Sequence, residues 1–184
     1  ITTGVGNHQM LAAQYLVTKS PKSFITSGGF GTMGFALPNA VGTHFANPGA
    51  TGLAIDGDGS LLMNLGELFT IGRYRLPIKV LLLNNHGECM VRNYQKSVYA
   101  GNYVATRKVN EVNFASVAKD LTFTFARRID DRRDLEDGMQ AFLQADGPCF
   151  LEVICDQDEM LYPRIPAGQG YAQMVLGPYM EAKA

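Results

Sequence analysis

Asp56-Gly57-Asp58-Gly59-Ser60 follows a short apolar run and opens an amphipathic stretch. Glycines let a backbone approach a ligand closely. A helix start adds free N–H groups and a partial positive charge, which suit phosphate. A carboxylate beside a phosphate repels it unless a hard divalent cation lies between them. Mg2+ takes one or two protein oxygens plus phosphate oxygens, and Asp58 fits that position. Asn84-Asn85 closes the next apolar run and offers neutral amide oxygen. Taken alone, each cluster reads as a turn. On successive strand ends they point to one metal–diphosphate site shared by Asp58 and Asn85. No Gly-Lys-Ser/Thr follows, so the pattern is not a P-loop. Ser27-Gly28-Gly29-Phe30-Gly31 is not followed by an acidic residue at a suitable strand end, so it is not a dinucleotide fingerprint.

The elements that must position these clusters alternate along the chain. The pattern predicts a helix capped by Asn7 and running to Tyr15, a strand over 24–26, and a helix over 32–45. A strand over 52–55, a helix over 61–74 and an almost wholly apolar strand over 78–83 follow. Residues 86–111 are polar, carry Tyr94, Tyr99 and Tyr103, and show no sustained period. They read as a long functional loop that closes over a ligand and orders with it. A helix over 113–119, a strand over 121–126, a helix over 131–145 and a strand over 149–154 complete the pattern. The remainder, from about 156, reads as an irregular tail. Alternation of this kind predicts an α/β fold, a parallel sheet flanked by helices on both faces. In such sheets ligands sit beyond the carboxyl ends of the strands, where the three clusters fall.

Composition narrows the class. The 184 residues fit a single domain, 1–184, able to bury a full core. Lys+Arg 16 against Asp+Glu 17 leaves a net charge of −1, without the positive field that nucleic acid or an anionic membrane requires. Three cysteines without a CxxC pair suit a reduced, cytoplasmic setting rather than a disulfide framework or zinc site. No apolar run spans a membrane and no signal peptide is visible. Residue 1 is Ile, so the domain reads as excised from a longer chain.

Gly57-Asp58-Gly59 and Asn84-Asn85, with residues 60–83 between them, resemble the signature of thiamine-diphosphate-dependent enzymes. Residues 2–10 (TTGVGNHQM), 26–35 (TSGGFGTMGF), 76–80 (LPIKV) and 162–168 (YPRIPAG) narrow the likeness. They resemble the C-terminal, diphosphate-binding domain of the acetolactate synthase-like family, and the match runs to about Met174. The resemblance implies Mg2+ bound by Asp58, Asn85 and the carbonyl of Gly87. It gives the diphosphate to Gly6, Asn7, His8 and the backbone of the Gly57–Ser60 turn, at Gly59 and Ser60. Gly31 would face the aminopyrimidine. Met33 would force the bent cofactor shape, and Met63 and Met90 would line the cavity. From pattern alone, Met33 and Met63 read as core packing.

The implied activity is decarboxylation of a 2-keto acid such as pyruvate, then carboligation. The implied catalytic glutamate lies on a pyrimidine-binding domain of a partner subunit, in a homo-oligomeric parent enzyme, so this domain alone would be inactive. Glu67 and Glu88 do not match that glutamate's position. Flavin (FAD) is compatible with the parent enzyme but not indicated here. Several residues depart from the family pattern: Asn7 replaces Gln, Leu11 an aromatic, Cys89 Gly and Tyr94 Trp, and the chain has no Trp. These changes leave open a thiamine-dependent decarboxylase or glyoxylate-type carboligase, as a domain or a separate subunit. A non-catalytic cofactor-binding or assembly module is the alternative from another class.

Overall fold

A computed structural model describes residues 1–18, 20–107 and 112–178. Six strands form one sheet: β1 Thr2–Thr3, β2 Ile25–Thr26, β3 Gly52–Gly57, β4 Ile78–Asn84, β5 Phe125–Ile129 and β6 Cys149–Ile154. Their order is β2-β1-β3-β4-β6-β5, and every pairing is parallel. The chain steps outward from β1 to β2, then crosses to β3 on the other side of β1. The loops leaving β1 and β3 therefore diverge, which opens a crevice at their carboxyl ends.

The helices are α1 Asn7–Tyr15, α2 Ala36–Ala46, α3 Asp58–Met63, α4 Gly66–Arg73, α5 Cys89–Val98, α6 Phe114–Asp120 and α7 Leu135–Gln144. Side chains alternate across a strand, so the central strands feed two cores. Ile78, Val80, Leu82 and Phe150 pack with Leu37 of α2, Leu68 and Ile71 of α4 and Ala118 of α6. Leu81, Cys149 and Leu151 pack with Phe142 and Met139 of α7 on the other face. Lys79 also turns to that face, where its Nζ donates to the carbonyls of Phe142 (2.9 Å) and Ala145 (2.6 Å) at the end of α7. This cation is well placed at a helix C-terminus.

The α/β class and the strands at 52–57, 78–84 and 149–154 match expectation, while several local readings need correction. β1 was not anticipated: two residues carry no period, yet they sit between β2 and β3. Asn7 is not the cap of α1 but its first residue; Gly6 is the cap, at φ 155° and ψ −166°, a region open essentially to glycine. The second helix starts at Ala36 rather than 32, because Gly31 and Gly34 hold positive φ and turn the chain. The helix expected over 61–74 starts at Asp58 and breaks at Asn64, whose side-chain amide donates to the Gly34 carbonyl at 2.8 Å.

The supposed loop after His86 contains α5, whose buried positions, Cys89 and Asn93, are small or polar and hide the helical period. Positions 108–111 of that stretch lie outside the described residues. The strand expected over 121–126 is shifted to β5, since Leu121 ends α6 and Thr122 has φ 67°. Arg127 and Arg128 mask its apolar character. Asn113 caps α6, its side-chain oxygen accepting from the Ser116 N–H at 2.9 Å. The last expected helix opens as a 3-10 turn over Arg132–Asp134. The tail contains another over Tyr171–Gln173 and a bridge between Arg164 and Val175.

Candidate functional site

A cavity of about 210 Å3 opens at the carboxyl edge of β1, β3 and β4. The turn after β1 contributes Gly6, Asn7 and His8, and the start of α3 contributes Gly57, Asp58, Gly59 and Ser60. Asn85 and Gly87 follow β4, Met90 comes from α5, and Met33 from the turn before α2. The structure thus brings these sequence-predicted residues together. It does not bring in Gly31, which is exposed and outside the lining, or Met63, which is 60% exposed.

Strand register explains the grouping of the oxygens. Gly57 pairs with Leu83, so Asp58 and Asn84-Asn85 leave neighbouring strands side by side. Asp58 is buried. Close glycine contacts frame the turn: a Cβ on Gly57 would lie 2.6 Å from His8 Nδ1, and one on Gly59 would meet the Glu88 carboxylate. Ser60 is committed internally, its Oγ accepting from the Gly34 N–H at 2.8 Å and bonding Asp56.

The donor set fits a hard cation. Asp58 carries one carboxylate, while Asn85 and the Gly87 carbonyl are neutral oxygens, a set suited to a Mg2+ that keeps phosphate oxygens among its ligands. Among the described residues, no three His, Cys, Asp or Glu side chains converge to hold a metal by themselves. Asn7 Oδ1 is buried at this edge without a hydrogen-bond partner among the described residues, a polar atom available to a ligand. Burial, then the nearby Asp58, pushes the thiols of the lining residues Cys89 and Cys155 up to about 12 and 11. Both stay protonated at neutral pH, so neither serves as a thiolate nucleophile.

Sequence reading missed two contributors. The first is Asp56, fully buried and 3.4 Å from His8 Nε2. Burial lowers His8 to about 4, against a backbone hydrogen bond at Gly4 that raises it. Burial raises Asp56 to about 7, with Asp58 adding to the rise and Ser60 and Gly57 opposing it. The contact is therefore an ion pair at no pH: between about pH 4 and 6.5 the folded pair keeps its proton on Asp56, whereas the unfolded chain keeps it on His8. Proton counts match between about pH 4 and 6.5, so the two groups cancel there.

Single variants should expose each slope. Asp56→Asn leaves His8, for which the unfolded chain binds the extra proton. Stability is then full above about pH 6.5 and falls by roughly 3 kcal/mol toward pH 4. His8→Gln leaves Asp56, for which the folded chain binds it. Stability is then full near pH 3.8 and falls by roughly 4 kcal/mol toward pH 7. Denaturant titrations of the metal-free chain across this window check both. Profiles parallel to wild type would contradict the opposite burial shifts of His8 and Asp56.

The second missed contributor is the tail. Glu159, Met160, Leu161 and Tyr162 line the cavity, tied down by Gln157 Nε2 donating to the His86 carbonyl (2.8 Å). Arg92 of α5 also donates to Asp158 Oδ1 through Nε (2.9 Å) and Nη2 (2.6 Å). Irregular sequence carried no signal for this placement. No helix of the described residues is long and apolar enough to cross a membrane.

Comparison with known proteins gives the same picture. Residues 4–153 match the family model described as thiamine pyrophosphate enzyme, C-terminal TPP binding domain. The chain is 41% identical over 182 residues to acetolactate synthase 2, chloroplastic, of Brassica napus, covering 96% of this chain and 29% of that protein. It is 42% identical over 176 residues to the mitochondrial acetolactate synthase of Schizosaccharomyces pombe, with 96% and 26% covered. Against the acetolactate synthase isozyme 2 large subunit of Escherichia coli it is 39% identical over 175 residues, with 95% and 32% covered. The chain thus spans less than a third of the length of these relatives. With its parallel sheet, its strand-end cavity and this match, the chain belongs to the thiamine pyrophosphate enzymes, as a C-terminal TPP binding domain with acetolactate synthases among its relatives.

Proposed function

We propose that this domain holds the diphosphate and Mg2+ of thiamine diphosphate in an acetolactate synthase-like enzyme that decarboxylates a 2-keto acid and joins the remaining two carbons to an acceptor. The observation that carries this reading is the cavity that gathers Gly6–His8, Asp58–Ser60, Asn85 and Gly87 at the switch between β1 and β3. The bound cofactor supplies an electron sink for cleaving the bond to the keto-acid carboxylate. Asp58, the Asn85 side chain and the Gly87 carbonyl hold the metal. Asn7, His8 and the backbone at Gly6, Gly59 and Ser60 hold the phosphate oxygens. Met33 and Met90 offer apolar contact, and the tail residues Met160 and Leu161 keep water from the reacting centre. A pyrimidine-binding domain of a partner subunit in a homo-oligomer supplies the catalytic glutamate.

Incubating the enzyme that contains this domain with pyruvate, thiamine diphosphate and Mg2+ tests the reading. Formation of acetolactate supports it. Release of aldehyde alone would reassign the chain to a decarboxylase, and no turnover of any 2-keto acid would overturn the catalytic reading.

A further inference from the structure

Glu152 sits on β6, fully buried, with its two carboxylate oxygens divided between neighbours. Asn84 Nδ2 at the end of β4 donates to Oε1 at 2.7 Å, and the Ala115 N–H in the first turn of α6 donates to Oε2 at 3.1 Å. Arg128 of β5 approaches Oε1 at 3.8 Å. A carboxylate only accepts, so it dictates which end of the Asn84 amide faces it. A flipped amide would bring two oxygens together in a buried site. Asn84 Oδ1 is therefore turned the other way, where it accepts from the His86 N–H at 3.0 Å.

That second bond closes the turn that presents Asn85 and Gly87. The turn needs support, because His86 has φ 55°, a left-handed conformation that costs a non-glycine residue free energy. The neighbouring backbone is also anchored: the Cys155 N–H donates to the Asn84 carbonyl at 2.8 Å. We propose that Glu152 is a positioning residue for the metal, acting through Asn84 and the His86 N–H to set the turn that carries Asn85 and Gly87. This assignment rests on the reading of Asn85 and Gly87 as metal ligands. Glu152 itself lies outside the cavity lining.

Exchanging donor and acceptor tests the relay. In Glu152→Gln one side-chain oxygen becomes an N–H donor, which must face either Asn84 Nδ2 or the Ala115 N–H. The double variant Asn84→Asp/Glu152→Gln reverses the polarity of the bond. The amide introduced on β6 can accept from the Ala115 N–H and donate to the carboxylate introduced on β4. That carboxylate keeps its other oxygen for the His86 N–H. Two readouts are needed. The first is hydrogen exchange of the peptide containing His86 in the cofactor-free chain. The second is Mn2+ affinity with thiamine diphosphate present, from the free-ion electron paramagnetic resonance signal.

Glu152→Gln is expected to speed exchange at His86 and weaken Mn2+ binding by about 10- to 100-fold, the usual effect of losing a partner that orients a ligand. The double variant is expected to restore both to within a few-fold. Should Glu152→Gln fail to fold, Glu152→Asp, which keeps the charge but shortens the reach, should show the same two losses. If Glu152 serves only to join α6 and β5 to the sheet, thermal stability falls while exchange at His86 and Mn2+ affinity stay at wild-type values; that result overturns the assignment. A wild-type chain that binds no Mn2+ while exchange still follows the relay would overturn the metal reading, and with it this role of Glu152.

Discussion

Replacing Asp58 with alanine is expected to remove Mg2+-dependent binding of thiamine diphosphate, a loss of at least about 100-fold. Asp58 is the one carboxyl side chain in the proposed donor set; Asn85 and Gly87 offer amide and carbonyl oxygens only. Without it, Mg2+ would have to leave part of its water shell for two neutral protein oxygens and the phosphates. The effect should be separable from misfolding. Asp58 adds to the upward shift of the buried Asp56 and of the Cys89 and Cys155 thiols, so its removal relieves those groups. Calorimetric titration with thiamine diphosphate in excess Mg2+ should show no binding heat, while far-ultraviolet circular dichroism stays at the wild-type level. A wild-type isotherm from Asp58→Ala would remove Asp58 from the site.

Gly72→Ala is expected to be the most destabilising small substitution in the scaffold. Gly72 is buried in α4, and a Cβ there would lie 1.9 Å from the carbonyl oxygen of Leu121 and 3.2 Å from Thr122 Oγ1. The obstacle is backbone, so no rotamer change relieves it. That backbone is held by the Leu121 N–H donating to the Val117 carbonyl (3.0 Å) and the Thr122 N–H donating to the Lys119 carbonyl (3.1 Å). Helix α4 must move away from the end of α6, opening the core between them. The cost should reach about 3 kcal/mol or more, lowering the melting temperature by roughly 10 °C in a domain of this size. Gly42, exposed within α2 with open space at its Cβ position, is the internal control. Gly42→Ala should stabilise by about 0.5–1 kcal/mol, because only the helix propensity changes. Equal melting temperatures for the two variants would contradict the packing described for α4.

The chemistry at the ends of β3 and β4 was legible because each cluster is local and each strand before it lies inside the sheet, largely buried. β3 and β4 read as apolar runs, and the residues that follow them must emerge at the same edge of a parallel sheet. Elements whose sequence conflicts with their position were not legible. β1 has two residues, β5 carries Arg127 and Arg128, and α5 buries Asn93 instead of an apolar side chain. The break between α3 and α4 depends on a hydrogen bond from Asn64 to Gly34, thirty positions away, which no local pattern reports. The same holds for the His8–Asp56 contact, the Glu152–Asn84 bond and the tail over the cavity. Gly31, at the end of the Ser27–Gly31 cluster, and Met63 are the two predicted site residues outside the cavity. The bland reading of Met63 as core packing also fails, since its side chain is largely exposed.

Calorimetric titration of the wild-type chain with thiamine diphosphate, once with Mg2+ and once with a chelator, reads out whether the metal bridges the diphosphate to the protein. Saturable binding with Mg2+ that weakens at least about tenfold without it is the predicted result. Equal affinity in both conditions, or no binding in either, would contradict a metal-bridged diphosphate held by Asp58, Asn85 and Gly87.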